Sequence, residues 1–129
     1  MKLLTMIAFN LFMLTAAAQR TDVRNGMIFT DGKPFALINR DNCGLVGRCS
    51  IMLNALDGRA AIIISFDPKS YGGHTYAKLL FIKSNKSARI EDLRTKENKV
   101  AKMIVKANLF KNGELDDAAA AAFIAANPE

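Results

Sequence analysis

The chain of 129 residues contains two cysteines, Cys43 and Cys49, with five residues between them, two of which are glycine. In an exported protein, a pair at this spacing favours a disulfide. The pair lies between two predicted strands, and a hairpin loop brings its ends to the Cα separation of about 5.5 Å that a disulfide prefers. Two free thiols, buried as small side chains at strand ends, are the alternative interpretation. Because the closed loop is short, the bond would contribute about 2 kcal/mol and would mainly rigidify the loop.

A metal site or a redox pair needs more than these two thiols provide. A structural zinc site takes four Cys or His ligands, whereas the whole chain has two Cys and one His. Redox pairs usually have two residues between the cysteines rather than five. The sequence therefore predicts no metal and no cofactor.

The single histidine, His74, would have to serve in any Ser-His-Asp or Cys-His site. Ser65 or Cys43 would then be the nucleophile, and Asp67 would orient the imidazole. However, the Gly-x-Ser-x-Gly turn that presents a nucleophilic serine is absent, and Asp67-Pro68 is typical of a turn. The sequence predicts no catalytic residues and favours a protein that is not an enzyme, with a small hydrolase that uses His74 as an alternative.

Basic side chains are concentrated in the second half of the chain. Spacings of three and four residues place one group of lysines on the same side of a predicted helix. These lysines are Lys96, Lys99, Lys102 and Lys106. A solvated helix face explains them, and an anion-binding surface for an acidic glycan, a lipid headgroup or an acidic protein is the functional alternative. Nucleic acid is not expected, because no aromatic side chains stand among the lysines and export is predicted.

The first 18 residues have the layout of a secretory signal peptide. Lys2 is followed by an apolar run, then by Ala16–Ala18, and then by an abruptly polar segment. The run is shorter than the roughly 20 apolar residues that span a bilayer. We expect cleavage near Ala18, which leaves residues 19–129 as a single domain in the secreted or periplasmic fraction. The signal carries one Lys and no acid, so its loss changes the formal net charge from +6 to +5.

Strands dominate the expected first half of this domain. Asp31-Gly32 and Asp57-Gly58 each separate two short apolar runs, which indicates hairpins, because both central residues of a type I′ turn need positive φ. The run 60–64 is apolar on both faces of a strand, so we expect either the most buried strand or a face covered by a partner, as in a homodimer. A fourth strand is predicted over 76–83, and residues 85–94 are interpreted as a loop or a short extra strand.

Helical periodicity begins after Thr95, which is a candidate N-cap. Asn112-Gly113 is expected to end the first helix, and Asp116 is expected to cap the second. Together these elements predict an α+β fold: an antiparallel β-meander of four to five strands followed by two C-terminal helices packed on one face.

Several short stretches resemble small exported proteins of unknown function from Gram-negative bacteria of the Bacteroidota type. The stretches are the signal ending in Ala-Gln, the hairpin segment 31–34 and the segment 112–116 before the last helix. The resemblance implies a periplasmic or secreted location and an α+β domain, and it carries no activity over to any residue. The expected function is that of an exported non-catalytic binding or structural protein of the cell envelope or secreted fraction. An inhibitor of a secreted hydrolase is the alternative suggested by small size, basic charge and the loop between the cysteines.

Mass spectrometry of the protein from its native host tests both export and the disulfide. We expect a mature mass that begins at Gln19 and is two hydrogens lighter before reduction than after it. An uncleaved chain with two free thiols would contradict both predictions.

Overall fold

The structure is a computed structural model that describes residues 20–41, 49–66, 76–91, 93 and 96–129. Seven strands form one antiparallel sheet in which each strand pairs with its neighbours in the sequence. They are β1 (Thr21–Arg24), β2 (Met27–Thr30), β3 (Lys33–Asp41), β4 (Cys49–Asn54), β5 (Ala60–Phe66), β6 (Tyr76–Phe81) and β7 (Lys86–Glu91). Two helices follow, α1 (Glu97–Lys106) and α2 (Asp117–Ala126). Between them lies a separate hairpin of β8 (Phe110–Lys111) and β9 (Glu114–Leu115).

One face of the sheet forms the hydrophobic core. Side chains alternate between the two faces of a strand, so the register of pairing decides which residues share a face. Ile51 of β4 pairs with Ile64 of β5, which pairs with Leu79 of β6, which in turn pairs with Ala88 of β7. All four side chains are fully buried. A slip of one residue in any strand would turn its apolar side chains toward solvent.

The helices and the small hairpin cover this apolar face. Helix α1 buries four side chains and contacts β1 and β3, and α2 contacts β7. Two aromatic contacts join the layers. Phe123 of α2 lies 6.1 Å from Phe81 of β6 between ring centroids, and Phe110 of β8 meets Phe35 of β3 edge-on at 5.9 Å. The core is therefore a single layer of side chains between the sheet and the C-terminal elements.

The prediction of four to five strands is wrong, because the described residues form seven strands in the meander and two more in the separate hairpin. Strand β1 has the sequence TDVR and β7 has the sequence KSARIE. Both are edge strands, which carry polar side chains, so their apolar content is too low to be recognised. Strands β8 and β9 have two residues each and leave no periodic pattern.

Tight turns explain most of the short connections. Asp31 and Gly32 both have positive φ, which confirms the predicted type I′ hairpin between β2 and β3. Asn25-Gly26 makes the same turn between β1 and β2. In the turn between β4 and β5 only Gly58 has positive φ, so the predicted type I′ geometry is wrong there.

The connection between the helices also differs from the prediction. Asn112-Gly113 does not end α1, which stops at Lys106 and is followed by Asn108 with a φ of 53°. Instead, Asn112-Gly113 is the turn of the β8–β9 hairpin. The predicted N-cap of α2 is confirmed, because the Asp116 carboxylate accepts hydrogen bonds from the backbone N–H groups of Ala118 and Ala119.

Strand β5 is apolar on both faces for a short length only. Ile62 and Ile64 are fully buried, Ile63 on the opposite face is half-buried, and Ala60 is exposed. An irregularity in pairing beside Asn54 turns Ala61 inward as well. A homodimer formed through the outer face of β5 would therefore have to use the row of half-buried side chains that crosses the sheet at Ile63.

Gly113 and Gly32 form a matched pair for a stability measurement, since both have a φ of 78°. A Cβ on Gly32 would have no neighbour within 4 Å, whereas a Cβ on Gly113 would lie 2.8 Å from Cδ1 of Leu56. We expect Gly32→Ala to cost roughly 1–2 kcal/mol from backbone strain. Gly113→Ala should cost about 1–3 kcal/mol more, because Leu56 must also move. Urea unfolding of both variants measures the difference, and equal losses would show that Leu56 moves aside freely.

Candidate functional site

Helix α1 has a buried side and a basic side. Its buried residues are Val100, Ala101, Ile104 and Val105. Since successive residues turn by about 100°, these four share one face that packs on the sheet. The opposite face carries the predicted anion-binding residues, and the packing of the apolar face fixes its direction.

The four predicted lysines lie together on this outward face. Lys99, Lys102 and Lys106 belong to α1, and Lys96 precedes it as the N-cap residue. All four are exposed, and they extend along about 15 Å of helix axis. Helix α1 contains one acidic residue, Glu97 in its first turn, where a carboxylate interacts favourably with the helix dipole. We call Lys96, Lys99, Lys102 and Lys106 the lysine row.

The four members of the lysine row have no described ion-pair partner, whereas several other basic residues do. Elsewhere, Lys83 pairs with Asp117 at 2.8 Å and Lys78 pairs with Glu129 at 3.0 Å. Among the residues that the structure describes, no carboxylate lies within ion-pair distance of the lysine row. Exposed ion pairs add little stability, but they do cancel local charge. No carboxylate of the described residues therefore neutralises the lysine row.

The other predicted site residues are only partly within the described structure. Cys43 lies outside the described residues, and only the backbone of Cys49, the first residue of β4, is described. The disulfide therefore stays a prediction. His74 and Asp67 also lie outside the described residues. Ser65 is exposed on the outward face of β5, opposite Ser50 of β4 and Lys78 of β6 in the strand register.

Among the described residues, Asp57 is the carboxyl group whose pKa departs clearly from its usual value. The backbone N–H of Arg59 donates to Asp57 Oδ1 at 3.0 Å, and Arg59 Nε lies 2.7 Å from Oδ2. These hydrogen bonds lower the pKa of Asp57 below its usual value, the backbone bond most strongly. A lowered pKa on an exposed turn keeps the carboxylate ionised and does not make it a general acid.

No group of three or more His, Cys, Asp or Glu side chains in the described ranges is arranged to hold a metal ion. Within those same ranges, neither helix has the length and apolar character needed to cross a membrane.

Sequence reasoning missed a cleft of about 450 Å³ between α2 and the turn from β6 to β7. We call it the α2 cleft. Its apolar lining comes from Phe81, Leu115, Ile124 and alanines of α2, and its charged residues are Lys83, Lys86 and Asp117. The seven alanines of α2 predict a helix, but the cleft depends on how far the helix stands from the turn. That distance is a tertiary property that no local pattern reveals.

Comparison with protein-family models, with curated proteins and with solved structures finds no match to this chain. The function is therefore inferred from the geometry of the lysine row and of the α2 cleft.

Proposed function

We propose that this chain is an exported, non-catalytic binding protein that holds an acidic polysaccharide along helix α1. The observation that carries the proposal is the lysine row: four exposed ammonium groups along one helix face, with no described carboxylate to neutralise them. A linear polyanion needs a row of positive charges of this kind. Export is the prediction made from residues 1–18, and it brings the protein to compartments where acidic glycans occur.

Helix α1 is less well suited to bind lipid headgroups than to bind an acidic polysaccharide. Helices that lie in a membrane interface insert an apolar face among the acyl chains. The apolar face of α1 is already buried against the sheet through Val100 and Ile104, which have no exposed surface. Only charged and polar side chains, such as Lys102 and Asn98, are exposed on its other side. The helix could attract an anionic surface but has nothing to anchor in it.

The exposed face of α1 is also less well suited to an acidic protein partner than to an acidic polysaccharide. Protein interfaces have a central apolar cluster, rich in aromatic side chains, within a polar rim. Within the described structure the exposed large apolar side chains, Leu56 and Ile82, lie away from α1, in the connections that follow β4 and β6. Lysine itself suits a glycan, because its ammonium group is a point charge with three donors that adapts to carboxylate or sulfate without a fixed geometry.

The inhibitor and hydrolase alternatives depend on other parts of the chain. The inhibitor hypothesis requires the loop between Cys43 and Cys49, and the hydrolase hypothesis requires His74. Both lie outside the described residues, so no described contact favours either function.

Binding to heparin, a carboxylated and sulfated glycan, tests the proposal. We expect Lys99→Gln/Lys102→Gln/Lys106→Gln to weaken binding about tenfold or more at low salt, since each exposed contact contributes roughly 0.5–1 kcal/mol. Raising the salt from about 0.05 M to 0.5 M should abolish binding by the unmodified protein, because exposed charges are screened. Surface plasmon resonance measures both effects.

The matched control is Lys33→Gln/Lys86→Gln/Lys111→Gln, which removes three exposed lysines outside α1. It changes the net charge equally and should weaken binding less than about threefold. Equal losses in both triple variants would show that heparin responds to net charge and not to the lysine row. Tighter binding to phosphatidylglycerol vesicles than to heparin would favour a lipid surface instead.

A further inference from the structure

The α2 cleft exists because the helix that covers this part of the sheet has short side chains. Phe123 rests on Phe81 with a centroid distance of 6.1 Å and holds α2 above the sheet. On the side that faces the β6–β7 turn, α2 presents Ala120, Ala121 and Ala125. Methyl groups do not fill the space that this packing leaves. A concave, apolar volume remains, and its size lies within the roughly 300–1,000 Å³ typical of small-molecule sites.

The charges at the α2 cleft are unequal. Lys83 and Lys86 come from the β6–β7 segment and Asp117 comes from the first turn of α2. Lys83 Nζ lies 2.8 Å from Asp117 Oδ2, so these two groups neutralise each other. Both also line a neighbouring hollow beside Arg59, which places their ion pair at the boundary of the cleft. Lys86 has no described ion-pair partner, so its ammonium group leaves the cleft with one net positive charge.

We propose that the α2 cleft binds a single-chain anionic amphiphile, with an acyl chain against Phe81 and Ile124 and a carboxylate beside Lys86. The apolar lining favours a hydrocarbon chain over a peptide, because buried peptide groups would lack hydrogen-bond partners there. The ammonium group of Lys86, which no described carboxylate pairs with, favours an anionic head over a cationic one. This inference does not depend on helix α1 or on the proposed glycan function.

Calorimetric titration with octanoate, decanoate and dodecanoate, each below its micelle concentration, tests the proposal. We expect one saturable site and an affinity that rises about fourfold per added methylene, which is the gain from burying each group. Dodecyltrimethylammonium, with the same chain and the opposite charge, should bind at least tenfold more weakly than dodecanoate. Equal binding of the two amphiphiles, or no saturable binding of dodecanoate, would overturn the proposal.

Neighbouring alanines of α2 give a matched pair of variants. Ala121 lines the cleft and Ala122 does not, and both are exposed, so substitutions at either position should leave the fold intact. Ala121→Phe should fill the cleft and weaken dodecanoate binding more than tenfold, while Ala122→Phe should change it less than twofold. Lys86→Gln should remove most of the preference for the anionic head, with Lys111→Gln as its control. Equal losses at positions 121 and 122 would place the amphiphile elsewhere.

Discussion

The structure depends on covering one apolar face of a seven-stranded sheet. The row of Ile51, Ile64, Leu79 and Ala88 crosses four strands and is fully buried, although a meander by itself would leave it in contact with water. Burial of such side chains contributes about 1.5–3 kcal/mol for each large aliphatic residue. The two helices and the β8–β9 hairpin provide the cover, so the position of every element after β7 follows from this requirement.

The two helices cover the sheet with different side chains. As a result, each helix gives the protein a different exposed surface. Helix α1 packs β-branched side chains such as Val100 and Ile104 against the sheet, which directs its lysines outward. Helix α2 anchors through Phe123 but is otherwise largely alanine, so it covers the sheet incompletely and leaves a cleft. The lysine row and the α2 cleft are thus consequences of how each helix packs, and they lie on different helices.

Sequence patterns predicted the features that depend on local chemistry. The lysine row follows from helical periodicity, the hairpin at Asp31-Gly32 from the need for positive φ, and the cap at Asp116 from a carboxylate that accepts backbone N–H groups. Features set by distant contacts were missed or misread. Asn112-Gly113 fits a helix end and a hairpin turn equally well, and only the pairing of β8 with β9 decides between them. The α2 cleft, likewise, is defined by the distance between two separate elements.

We propose that the two helices covering the sheet offer two separate ligand surfaces, the lysine row on α1 and the α2 cleft. The most direct measurement is a ¹H–¹⁵N NMR titration of one protein sample, first with a heparin oligosaccharide and then with dodecanoate. We expect heparin-induced shifts concentrated in residues 96–107 and dodecanoate-induced shifts in residues 81–86 and 115–125. Heparin shifts spread over all basic residues, or a single segment that responds to both ligands, would contradict the proposal.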